Sequence, residues 1–151
     1  MTAISLGAIA LAVSTGSWFR PTDGRYQPSP TAAVGPSEQE INTAVTKVCN
    51  ARTLVNEAGA VAGSKFSDDP NMKFIIAINT RLSSIASADY LNSTLDQNPA
   101  APETLQESIR ELISVYGEMT LLHLSDADQE RLERVYQKLD DVDATVGRAC
   151  E

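Results

Sequence analysis

One histidine, two cysteines and an aromatic content of 5% leave a chain of 151 residues with little material for chemistry. The lone His123 excludes a multi-histidine metal site, and no Glu stands three or four residues from it to complete a helical ligand pair. Paired cysteines at redox spacing, a phosphate-cradling Gly loop and a nucleophile elbow are all missing. Basic residues are scarce too: 12 Lys and Arg against 20 Asp and Glu leave a net charge of −8. That balance opposes nucleic acid and anionic lipid, which both need a basic surface. No catalytic residues, no cofactor and no metal are expected, so the chain does not read as an enzyme.

Charge is absent altogether from residues 1–19, which run through Ile4, Leu6, Ile9, Leu11 and Val13 to Trp18 and Phe19, just before Arg20 and Pro21. As a helix this stretch nearly covers a hydrocarbon layer of about 30 Å, and a Trp at its end suits the interface. It reads as a transmembrane anchor. The alternative is a cleavable signal segment, with Ala10-Leu11-Ala12 as a small-residue cleavage site and secretion as the outcome. No Lys or Arg precedes the apolar run, which points to a start upstream of Met1 or to a longer membrane helix. Residues 20–36 follow as a Pro-, Gly- and Ser-rich linker, with Pro21, Pro28, Pro30 and Pro36 breaking regular structure.

Residues 37–151 have the periodicity of an all-α domain. Helices are expected at about 38–62, 70–88, 102–123 and 126–150. Ser37-Glu38-Gln39-Glu40 has the form of a capping box, and Asp69-Pro70 is a cap followed by Pro in the first turn. The first helix carries Ile41, Val45, Val48, Cys49 and Val55 on one stripe, with Lys47, Arg52 and Glu57 toward water. Its end, residues 58–63, is all small residues but for Val61. In the second helix Met72, Ile75, Ile76, Leu82 and Ile85 share a face, widened by Phe74 and Ile78, so this helix is expected to be the most buried. Residues 88–101 lose periodicity and read as a loop, with an added turn around 90–95. The third helix aligns Leu105, Ile109, Leu112, Ile113, Tyr116, Met119 and Leu122; the fourth aligns Leu132, Val135, Leu139, Val142 and Val146. Short connections favour an up-down four-helix bundle in which the first and last helices are antiparallel neighbours.

Cys150 continues the last stripe four residues beyond Val146, and Cys49 sits on the first. We read the two as a disulfide stapling the first helix to the last in an oxidising compartment; a pair of free buried thiols is the competing reading. Two or three turns of the first helix would then project beyond the bundle toward the linker. Tyr116 and His123, seven apart on one helix face, are the weak candidates for touching a flat ligand. The competing role for Tyr116 is core packing, and for His123 a cation near the last carbonyls of its helix. Asp140, Asp141 and Asp143 read as a solvated acidic face rather than a cation or hydrolase site. Asn92-Ser93-Thr94 matches a glycosylation acceptor by pattern alone.

The apolar anchor, the Pro-rich spacer, Val48-Cys49-Asn50-Ala51-Arg52, Ile113-Ser114-Val115-Tyr116 and Val146-Gly147-Arg148-Ala149-Cys150 carry a resemblance. The chain resembles small actinobacterial, mostly mycobacterial, single-pass membrane proteins described as alanine- and proline-rich, with a two-cysteine extracytoplasmic helical domain. The resemblance implies location and architecture: a cell-membrane protein with its C-terminal domain outside the cytoplasm. The function expected is a non-catalytic interaction or accessory module of the cell envelope, with another envelope or membrane protein as partner. A carrier of a small apolar ligand or haem within the bundle is the alternative.

Overall fold

The computed structural model describes residues 35–151, so the membrane segment expected at 1–19 and nearly all of the linker lie outside the described residues. Within them the chain forms α1 (Glu38–Gly63), α2 (Pro70–Gln97), α3 (Glu103–Leu124) and α4 (Gln129–Ala149), with no strand. No helix among the described residues is long and apolar enough to cross a membrane.

Three of the four helices start on a side-chain cap. At α1 the Ser37 hydroxyl accepts from the Glu40 amide while the Glu40 carboxylate accepts from the Ser37 amide at 2.7 Å. Asp69 accepts from the Met72 amide to open α2, and Asp128 from the Arg131 amide to open α4. These contacts satisfy amides that have no partner inside the helix. Between α3 and α4 the chain reverses at Asp126, whose φ of 49° lies in the left-handed region. The Ala127 amide then donates back to the Leu122 carbonyl, closing the last turn of α3.

The helices pack in chain order, α1 on α2, α2 on α3 and α3 on α4. Central α3 supplies much of the core through Leu105, Ile109, Leu112, Val115, Tyr116, Met119 and Leu122. Val48 and Val55 of α1, Leu91 and Leu95 of α2, and Val135, Val142 and Val146 of α4 meet it. The four-helix bundle closes through side chains between α1 and α4: Cys49 and Cys150 form a disulfide with Cα atoms 5.8 Å apart.

Three features depart from the sequence reading. First, α2 does not stop near residue 88 but continues to Gln97, because Leu91 and Leu95 plug into the core. Its inward face reads Ser84, Ser87, Leu91, Leu95, a helical spacing disguised by two serines. Second, the first turns of α1 do not project freely. The extended α2 reaches them, Ala44 is buried, and a groove forms with Asn98, Pro99 and Ala100.

The third departure is the rotation of α2. Its first half is turned inside out: Ser84 and Ser87 are buried, whereas Phe74, Ile75, Ile78, Leu82 and Ile85 are exposed. A helix is a rigid rod, so the anchoring of Leu91 and Leu95 fixes the direction of every residue before them. At 100° per residue that phase carries the five apolar side chains to the outside, on a stripe about 100° wide. The helix expected to be most buried therefore presents the largest apolar surface.

Candidate functional site

The small residues at the end of α1 make the site. Gly59 and Gly63 have no side chain, and Ala60 only a methyl, to fill the space opposite Thr80, Ser83 and Ser84 of α2. A Cβ placed at Gly59 or Gly63 would meet nothing within 4 Å. Tyr116 and Met119 of α3 and Tyr136, Leu139, Asp140 and Asp143 of α4 complete the walls of a cleft of about 300 Å³ to which all four helices contribute. The small residues at the end of α1 thus line a void.

One end of the cleft is held by an ion pair. Arg52 donates from Nε and Nη2 to the two carboxylate oxygens of Asp143 at 2.8 and 2.6 Å, and Asn56 adds a bond of 2.9 Å. Both partners are largely buried, with side-chain exposures of 22% and 24%. A two-point arginine–carboxylate contact is directional as well as charged, so it fixes how α4 lies on α1. Gly147, one turn beyond Asp143, leaves room for the guanidinium: a Cβ there would sit 3.1 Å from Arg52 Nη2. Arg52 therefore does not face water, and Asp143 is no part of a purely solvated acidic face. The signal lay in Arg52 and Asn56 being four apart on α1, but their partner is 91 residues away from Arg52.

Tyr116 is 6% exposed and lines the cleft, and no buried side-chain polar atom among the described residues is left without a partner. Burial, reinforced by the Asp143 charge and opposed by Arg52, pushes the phenol above its ordinary range. It stays protonated at neutral pH. Thr80 and Ser84 donate to the Ile76 and Thr80 carbonyls of their own helix, so only their lone pairs remain for the cleft. Asp140 has no ion-pair partner among the described residues.

His123 lies elsewhere. It shares a helix face with Tyr116 but is not part of the cleft wall; its Nε2 meets the Tyr136 hydroxyl at 2.8 Å, with the rings edge to face. Tyr116 and His123 therefore do not flank a common slot. His123 stands in the last turn of α3, where Arg81 of α2 donates to its carbonyl at 2.8 Å.

Partial burial, and then the Arg81 charge, hold the His123 imidazole below its ordinary range. The unfolded chain therefore binds this proton more readily than the folded one. Stability from this group is complete above the unfolded value of about 6.5 and declines as pH falls through that value toward the lower folded one. His123→Phe is expected to flatten the part of the melting-temperature profile between about pH 7 and pH 5 that the histidine causes. An unchanged slope in thermal melts of the variant would assign the whole pH dependence to other groups.

A wider groove of about 770 Å³ lies between the first turns of α1 and the α2–α3 connection. Several of its polar groups are already engaged: Ser37 and Glu40 with each other, and Asn98 with the Thr94 carbonyl. Among the described residues no cluster of His, Cys, Asp and Glu could hold a metal ion. Comparisons of this chain with protein-family models, with curated proteins and with solved structures find no match.

Proposed function

We propose that this chain is a non-catalytic, membrane-tethered helical module of the cell envelope that receives a partner protein on the outer face of α2. The observation that carries the reading is the apolar stripe Phe74, Ile75, Ile78, Leu82 and Ile85, whose members are 43% to 65% exposed. These five side chains leave roughly 500 Å² of apolar surface, at the upper end of what a monomer usually shows in one patch. Leu121 of α3 borders it at Ile85. With it the face offers roughly 600 Å², the low end of one partner's share of a standard interface.

The occupant that fits is the apolar side of an amphipathic helix from another envelope protein. The stripe is straight, about 16 Å long and free of charge, which suits a helix laid alongside. A second copy fits less well, since each chain carries a net charge of −8 and two would repel. A disulfide is supported by an oxidising compartment, and residues 1–19 have the composition of an anchor. The resemblance to alanine- and proline-rich single-pass membrane proteins points to the same location.

The test is a benzoylphenylalanine photocrosslinker placed at position 78 or 82 in intact cells, with position 137 on α4 as the control. The expected result is an adduct to one other membrane or envelope protein from 78 and 82, absent from 137 and lost in an Ile75→Asp background. No adduct, or one only at twice the mass of the chain, would overturn this assignment of the partner.

A further inference from the structure

We infer that the partner helix on α2 is bipartite, apolar over one half and basic over the other, and that Asp89 and Asp96 select and orient it through Lys or Arg side chains of the partner. This rests on the docking reading above and adds the chemistry of the occupant. On the outer side of α2 the residues Ile75, Ile78, Leu82 and Ile85 continue as Asp89, Asn92 and Asp96, all exposed, in alternating steps of three and four. That is an unbroken seven-residue repeat, the spacing of a seam along which a second helix lies. An occupant of the apolar half therefore meets the polar half as well.

The charges of the polar half are unmet. From Phe74 to Gln97 the charged residues are Arg81, Asp89 and Asp96. Arg81 is drawn away from the row, donating to the His123 carbonyl at 2.8 Å and lying 4.0 Å from Asp126. Neither Asp89 nor Asp96 has an ion-pair partner among the described residues. Asp96 is also misplaced for its own helix: it stands in the last turn, where the macrodipole disfavours a carboxylate, and no basic residue of that turn offsets it. Its contact with the Asn92 amide is long, at 3.5 Å. A cation brought from outside would relieve that cost and supply both missing partners.

The order of the two halves gives the interaction a direction. On Ile75 to Ile85 alone a helix could lie either way round, whereas two carboxylates at one end of the row, about two turns apart, accept Lys or Arg from one end of the occupant only. Self-pairing is disfavoured in both senses. A second α2 laid parallel would set Asp against Asp, and one laid antiparallel would set carboxylates against the apolar half.

The test places benzoylphenylalanine at position 78, or at the exposed position 93 beside the polar half, in the full chain in intact cells, and sequences the captured segment by mass spectrometry. The segment is expected to show helical apolar spacing around the site captured from 78 and clustered Lys or Arg around the site captured from 93. Asp89→Lys together with Asp96→Lys is expected to lower the adduct yield from 78 roughly fivefold or more, since exposed pairs contribute a factor of about 1.4 to 5 each and reversal turns attraction into repulsion. Glu133→Lys with Asp141→Lys makes the same change of charge at exposed sites of α4 and is expected to leave the yield unchanged. The melting temperature of the purified Asp89→Lys, Asp96→Lys chain is expected to match or exceed the native value; a lower one would assign the carboxylates a role inside the fold and overturn the inference. A captured segment without Lys or Arg, an undiminished yield in the double variant, or an equal fall in the α4 control would each overturn it while leaving the docking face standing. No adduct from 78 in the native sequence would overturn the docking face, and this inference with it.

Discussion

Replacing Cys49 and Cys150 together by serine is expected to lower the unfolding free energy by about 2–5 kcal/mol. The bond joins residues 101 apart and so closes almost the whole described domain into one loop. Without it the unfolded chain regains the freedom of a long open segment, a gain that the chain-entropy account places near the top of that range. A second loss lies in the folded state. Among the described residues α1 and α4 meet through the disulfide, the Arg52–Asp143 pair and the Asn56 contact rather than through a broad apolar seam. Removing the covalent link leaves the Arg52–Asp143 pair, the Asn56 contact and the buried Val142 and Val146 to hold the end of α4. The measurement is thermal or urea unfolding of the double variant, and of the native chain with and without reductant. A fall in melting temperature on the order of 10 °C or more is expected. Equal stability of oxidised and reduced protein would show that the bundle closes without the bond.

The second large effect tests the rotation of α2. Leu91 is 1% exposed and Leu82 is 59% exposed, although both are leucines in the same helix. Leu91→Ala is expected to cost about 2–5 kcal/mol, the sum of lost burial and the cavity left behind. Leu82→Ala in the isolated protein should stay within about 0.5 kcal/mol of the native value, as surface substitutions do. Chemical denaturation of the two variants side by side decides the matter. The reverse ranking would mean that α2 packs with its apolar stripe inward, and would remove the docking face. The four-helix cleft would go with it, since Thr80, Ser83 and Ser84 would then point away from Tyr116.

Burial of Ser84 and Ser87 beneath an exposed row of isoleucines looks like an inverted helix, yet no buried side-chain polar atom among the described residues lacks a partner. Ser84, like Thr80 and Thr120, donates to the carbonyl one turn earlier on its own helix, so its burial leaves no unmet donor. The apolar side chains outside stay in water in the isolated domain. A partner helix laid on the stripe would remove that cost.

What could be read without coordinates was whatever depends on neighbours along the chain. The capping box at Ser37 and Glu40, the Asp69-Pro70 start and the three-and-four spacing of Leu105, Ile109, Leu112, Tyr116 and Met119 are local, and α1 and α3 follow from them. The pairing of Cys49 with Cys150 was legible as well, because each cysteine lies on a periodic apolar stripe and the chain has no other. The phase of α2 was not legible, since two faces of that helix compete and the apolar one is the one left outside. Hydrophobic pattern alone ranks faces by composition, while the packed structure ranks them by which residues reach a neighbour, and Leu91 and Leu95 settle that against Phe74 to Ile85. The cleft is tertiary for the same reason. Gly59, Ser84, Tyr116 and Asp140 lie on four different helices, and only packing brings together a missing side chain, a spent hydroxyl, a buried ring and a carboxylate.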